Sequence, residues 1–280
     1  MAQEGRDIYD FTPPGRDAVW RWVAPMRLYF RPKTFGLRNL AKKRPALYVG
    51  NHTLFAVLDW PLIMAELYHE KGIFLRSLAD RMHYHISAWS DFLGHLGIVE
   101  GSPKNCAALM EAGEHILVYP GGAREICKRK DEAYALTWKE RTGFARMAIK
   151  HQYPIVPFAS VGPDNTYSIL ADADDIMASP LGTLLKETGI YKSVLRNGDL
   201  IPPIARGLGL TPFPRPERFY FSFGKPIDTT RYTGKRVTKK RLMDLREEVE
   251  ASIYDQIKTL LHYREQDTDK GLLRDLLTHF

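Results

Sequence analysis

From residue 46 onward, short apolar runs alternate with stretches of helical period. The runs are ALYVG, GIFLRSLA, LGIVE, HILVYP and PIVPFASVG, and residues 60–70, 82–95, 103–113 and 142–151 carry the helical patterns between them. Strands separated by single helices of about ten residues read as βαβ units on a largely parallel sheet covered on both faces. The pattern therefore predicts an α/β chain, a single domain with a mostly parallel sheet flanked by helices. In such a sheet, ligands bind beyond the carboxyl ends of the strands.

Two strand ends carry reactive side chains. Gly50, Asn51 and His52 follow the run ALYVG, and Gly121, Gly122, Arg124 and Glu125 follow HILVYP. A histidine beyond a strand end can project into a cleft and exchange protons near neutral pH. Asp59 has two readings: a carboxylate that fixes the His52 tautomer, or the N-cap of a helix with Pro61 in its first turn. The two glycines allow a tight backbone turn, and the Arg124 fork suits a phosphate or carboxylate, or else pairs with Glu125 or another nearby acid.

Outside this region the pattern is less regular. Residues 16–31 mix Trp20, Trp22, Met26, Leu28, Tyr29 and Phe30 with four arginines. This suits an amphipathic helix at a lipid interface, or equally one packed on the protein's own core and bent at Pro25. Residues 162–217, rich in proline and glycine, read as a long functional excursion before the strand-like RFYFSFGKPI. A helix over 238–264 has Leu242, Leu245, Val249, Ile253 and Ile257 on one stripe. The organisation expected is an N-terminal helical region over 1–44, an α/β domain over 45–264 and a tail over 265–280.

Lysine and arginine total 40 against 33 acids, a net charge of +7. That balance suits anionic lipid, phosphorylated substrates or nucleic acid, and no nucleic-acid motif accompanies it. Cys106 and Cys127 fit no metal spacing and read as reduced thiols. No stretch reaches the roughly 18–20 apolar residues of a membrane span, and the start MAQEGRDIYDFTPPGRD lacks the order of a signal peptide. The expected location is cytoplasmic and peripheral to a membrane.

Taken jointly, GNH, the later VYPGGAREICKRKDEAYALTWKERTGFARMAIKHQYPIVPF and the still later IPPIARGLG and PFPRPERFYFSFGKPI resemble the lysophospholipid and glycerolipid acyltransferase superfamily. They are most similar to its diacylglycerol acyltransferase-like branch, which includes phytyl ester synthase-type proteins. The resemblance covers roughly residues 45–228. It implies that His52 is a general base with Asp59 as its partner. It also implies that Asn51, Arg76, Gly121, Gly122, Arg124 and Glu125 contact substrate.

One departure stands out: six residues separate His52 from Asp59 where the family has four, and Val57 occupies the family's aspartate position. An insertion that still returns Asp59 to the imidazole is the expectation, since LDWP supplies the acid available there. The activity implied is O-acyl transfer from acyl-CoA or an acyl carrier protein to a lipid hydroxyl, with no metal or other cofactor and with a membrane surface as partner. The alternative is a non-catalytic lipid-binding or membrane-scaffolding protein with the same fold.

Overall fold

The strands lie where the apolar runs place them, and each is short. The structure, a computed structural model, describes residues 10–269; the ends 1–9 and 270–280, including most of the expected C-terminal tail, lie outside the described residues. In chain order the helices α1 (Arg16–Trp22) and α2 (Ala24–Phe30) precede strand β1 (Lys33–Phe35) and β2 (Leu47–Gly50). Next come α3 (Trp60–Lys71), β3 (Leu75–Ala79), α4 (Ser87–His95), β4 (Val99–Glu100), α5 (Pro103–Glu111) and β5 (His115–Val118). After these lie the single turn α6 (Ala123–Ile126), α7 (Gly143–His151) and β6 (Ile155–Val161).

The 162–217 excursion holds β7 (Ser168–Ala171), three short helices α8 (Ala173–Ala178), α9 (Pro180–Glu187) and α10 (Ile190–Ser193), and β8 (Ile204–Arg206). The chain returns through β9 (Tyr220–Phe223) and ends in α11 (Lys239–Gln266).

Seven strands form one sheet in the order β1-β9-β6-β2-β5-β3-β4, while β7 and β8 form a separate antiparallel pair. Every pairing in the main sheet is parallel except β6 with β9. The sheet is therefore mostly parallel, as the alternation predicts. Antiparallel β9 re-enters the sheet after the long excursion rather than through a single helix.

Strand periodicity divides the core between the two faces. Leu47 and Val49 pack with Leu109, Trp138, Phe144 and the α11 stripe from Leu242 to Leu260 on one face. Tyr48, Leu117, Val156 and Phe158 pack with α3 and with Val19, Val23 and Phe30 on the other. The α11 stripe is thus core. The expected single helix over 16–31 is two, meeting at Val23, with Pro25 in the first turn of the second. Proline is accommodated there because a first-turn amide has no intrahelical acceptor.

The aromatic residues of this region are divided between core and surface. Phe30 stacks on Phe219, and Trp20 stacks on His69 with ring centroids 3.9 Å apart. The Arg27 guanidinium also lies 3.2 Å from the Trp20 ring centroid. Trp22 and Leu28 stay exposed.

Candidate active site

Gly50 ends β2, and Asn51 anchors the chain just beyond it. The Asn51 side-chain amide donates to the Ser160 carbonyl at 2.9 Å, and its oxygen accepts from the Ser160 amide at 2.8 Å, both fully buried. Asn51 thereby continues the β2–β6 pairing by one residue through a side chain. It presents no free group to a substrate, which corrects the expectation from the motif: its part is to hold the backbone that delivers His52.

The His52 imidazole lies flat on the phenol of Tyr119, with ring centroids 3.9 Å apart and planes 4° apart. Its Nδ1 is buried without a hydrogen-bond partner. Burial, reinforced by the Lys128 cation and by His83, lowers its pKa from 6.5 to about 3, so the ring is neutral at pH 7. Sequence reasoning misses Tyr119, although it lies just past the same strand as the glycine motif, two residues before Gly121. Its hydroxyl is also buried without a partner, and burial raises the phenol well above its usual range.

Asp59 occupies the N-cap position of α3 but makes no capping bond. One carboxylate oxygen accepts from the Thr53 hydroxyl at 2.9 Å, and the other has no partner. Burial lifts its pKa from 3.8 to about 6, opposed by the hydrogen bond from the Thr53 hydroxyl. No hydrogen bond joins His52 to Asp59 among the described residues. Each instead presents an unpartnered buried atom, Nδ1 on one and Oδ2 on the other. Asp59 is close enough to Tyr119 for its charge to raise the phenol further.

The segment between them absorbs its two extra residues by backbone conformation. Phe55 and Ala56 both take left-handed φ, 60° and 58°, a conformation that costs each non-glycine residue on the order of 1 kcal/mol. The Phe55 amide donates to the Ile126 carbonyl at 3.2 Å, and the Leu54 amide to Asp164 at 2.7 Å. Asp164 also accepts from the Tyr134 amide at 2.8 Å and faces the buried Lys128 ammonium at 3.5 Å. Lys128 and Asp164 are the site's second omission from sequence reading. The lysine lies in the stretch CKRK, and nothing local marks it as buried.

The glycine motif turns sharply. Gly122 takes φ 53° and ψ −144°, a region open only to glycine. A Cβ built on Gly121 would overlap the Glu125 carboxyl. Glu125 itself is fully buried, accepts from the Thr137 amide at 3.3 Å, and has its pKa raised by burial from 4.5 to about 8, against the pull of Lys128 and of the His52 backbone amide. It is therefore mostly protonated at pH 7, a packed neutral acid beneath the motif.

Two arginines expected to contact substrate are otherwise engaged. Both terminal nitrogens of Arg124 bond the two carboxylate oxygens of Glu132, with the Cys127 carbonyl at 3.3 Å and Asp199 at 3.8 Å. Its fork is filled by protein acids rather than free for an anion. Arg76 sits near the start of β3, away from the carboxyl ends, where it bonds the Gly97 carbonyl at 3.0 Å and Glu114 at 3.2 Å beneath the Phe11 ring. Strand direction places it at the wrong end of the sheet for the cleft.

Beside Tyr119 opens a cavity of about 540 Å³. Leu47, Leu78, Cys106, Val118, Phe144 and Met147 give it apolar walls, and Gly122, Asp80, Arg141 and Arg146 line it as well. Leu47 pairs in register with Ile116, three residues before Tyr119, so the cavity extends along the strands by about 10 Å at 3.3 Å per residue. Cys106 and Cys127 are free and buried, and burial pushes both thiols up to about 11. Among the described residues no group of histidine, cysteine and acidic side chains is placed to hold a metal ion.

The same region is recognised by comparison. Residues 31–161 match the acyltransferase family model. The chain is 31% identical over 87% of its length to phytyl ester synthase 1, chloroplastic, of Arabidopsis thaliana, and 34% identical over 86% to phytyl ester synthase 2, chloroplastic, of the same plant. It spans about 36% of the length of each. The crystal structure of the 1-acyl-sn-glycerophosphate acyltransferase from Thermotoga maritima superposes with a TM-score of 0.51 at 16% identity, covering 88% of this chain and 80% of that one, a likeness of fold. Residues 31–161, which hold both the GNH and the PGGARE segments, are thus an acyltransferase-family domain.

Proposed function

We propose that the chain transfers a fatty acyl group from a thioester, acyl-CoA or acyl carrier protein, to the hydroxyl of a glycerolipid or related lipid alcohol. The observation that carries this reading is a neutral histidine stacked on Tyr119, a residue that also lines an apolar cavity. In this reading an acyl chain in that cavity brings its thioester carbonyl to the Tyr119 end, beside the stacked His52. His52 takes the proton of the acceptor hydroxyl as the oxygen attacks the carbonyl carbon, and the C–S bond breaks as the tetrahedral intermediate collapses. The proton then passes from the imidazolium to the leaving thiolate. Asp59 Oδ2 is the available acceptor for Nδ1–H once the imidazole turns toward it, and that bond stabilises the imidazolium.

The acceptor reaches the cleft from a lipid surface. Among the described residues no helix is long and apolar enough to cross a membrane. Tyr29 on α2 meets Phe213 edge to face at 5.5 Å. Trp22 and Leu28 on the helices and Leu210 and Phe213 on the excursion are exposed, with Arg21 and Arg206 close to them in sequence. Apolar side chains beside cations suit an anionic bilayer. Leu28→Glu with Leu210→Glu should weaken sedimentation with anionic vesicles; unchanged sedimentation places the lipid surface elsewhere.

The unmade His52–Asp59 bond favours a second reading, a lipid-binding scaffold that keeps the fold without the chemistry. Purified protein incubated with labelled acyl-CoA and a panel of lyso-lipids, diacylglycerol and long-chain alcohols separates the two. Acyl ester formed by the wild type and reduced about 10²–10⁴-fold in folded His52→Ala supports transfer. Lipid binding with no ester from any acceptor supports the scaffold.

A further inference from the structure

The arginine of the glycine motif is spent on Glu132 and Asp199, yet the cavity it adjoins has cations of its own. Arg141 precedes α7 and Arg146 lies within the helix, and both line the cavity. One terminal nitrogen of Arg141 donates to the carbonyls of Pro120, at 2.9 Å, and Gly121, which anchors the guanidinium against the glycine turn. A Cβ on Gly122 would lie 3.5 Å from that nitrogen. Neither arginine has an acidic partner among the described residues, and both are exposed at the rim. Asp80, the acid on the same cavity, is held in a fork by Arg196 at 2.8 and 3.0 Å. The cavity thus has apolar walls and a rim of uncompensated positive charge.

We infer that Arg141 and Arg146 form the binding site for a substrate phosphate, the task that the filled fork of Arg124 cannot perform. The inference rests on the acyl-transfer reading of the cavity, since an acyl chain in the apolar part sets the polar end of a substrate at this rim. Arg141 reaches the phosphate with the donors its carbonyl bonds leave free, and Arg146 contributes a second fork. Two substrates carry such a group: the phosphopantetheine arm of a thioester donor, and a phosphorylated glycerolipid acceptor.

Direct binding to the full chain tests this without turnover, using matched probes: pantetheine against 4′-phosphopantetheine, and a short-chain monoacylglycerol against the corresponding lysophosphatidate. The phosphate of at least one pair should tighten binding about tenfold or more, the scale of a charge-assisted contact. That gain should fall in Arg146→Gln, whose exposed side chain makes no hydrogen bond or ion pair among the described residues, and vanish in the Arg141→Gln, Arg146→Gln double variant. The pair showing the gain identifies donor or acceptor as the source. Equal binding within both pairs, or a gain that survives the double variant, overturns the inference. Phosphate-dependent binding in a protein that forms no ester would instead count against acyl transfer alone.

Discussion

The planes of His52 and Tyr119 differ by 4°, with centroids 3.9 Å apart. A stack this close fixes the imidazole through the ring face and leaves its nitrogens unassigned, which is why Nδ1 can be buried and unpartnered at once. The Tyr119 hydroxyl makes no hydrogen bond, so the ring and not the oxygen should matter. Tyr119→Phe should keep acyl transfer within about threefold, while Tyr119→Ala should lower kcat by about 10–100-fold as the base loses its seat. Equal, severe losses in both would show that the hydroxyl takes part.

Asp59 has a pKa near 6 in the folded chain. If its ionised form receives Nδ1–H, kcat/KM should rise with pH through about 6 and level off above it. Asp59→Asn should lower kcat by about 10²-fold or more and abolish that limb. An Asn variant with the wild-type rate and profile would leave Asp59 as a buried partner of Thr53 only.

Glu125 predicts a stability change of definite sign. Its folded pKa of about 8 exceeds the unfolded value of 4.5, so the folded chain keeps a proton that the unfolded chain releases. Stability therefore falls as pH rises from about 4.5 to 8, by an amount on the order of a few kcal/mol, and is flat above that window with respect to this group. Glu125→Gln should unfold at nearly the same temperature as wild type at pH 5 and at a higher one at pH 8. A wild-type-like dependence in the variant would mean that Glu125 is ionised in the native state.

The Arg124–Glu132 fork is the fourth test. Replacing one partner strands a largely buried charge, so Glu132→Gln should cost about 1–3 kcal/mol of stability and Arg124→Lys a comparable amount, since lysine cannot supply the planar fork. Urea melts read this directly. Should Arg124→Lys raise a substrate KM tenfold while leaving the melt unchanged, the arginine would belong to substrate after all.

The strand–helix alternation is legible because burial on both faces of a parallel sheet writes continuous apolar runs into the sequence; β2, β3, β5 and β6 all lie in such runs. Strand β1 escapes that reading because Lys33–Phe35 is three residues long with a lysine at its start, and it pairs with β9, far along the chain. The motif residues are also visible in the sequence, but their partners are not. For Arg124 the sequence offers either a free fork or a pairing with Glu125 or another nearby acid. Glu132, eight residues on, takes the fork, and Asp199, far along the chain, adds a second acid that no local pattern marks. Arg76 looks like a cleft residue because a motif does not state at which end of its strand a side chain emerges.

Asp164 accepts the amides of Leu54 and Tyr134, residues 110 and 30 positions upstream, and faces Lys128. The loop carrying His52 is thus clasped to a carboxylate synthesised long after it. A nascent chain halted before residue 164 would hold both motifs and the strands beneath them, yet lack the group that gathers the loop. The loop can therefore be clasped only in a chain whose β6 lies beside β2 with its following turn in place.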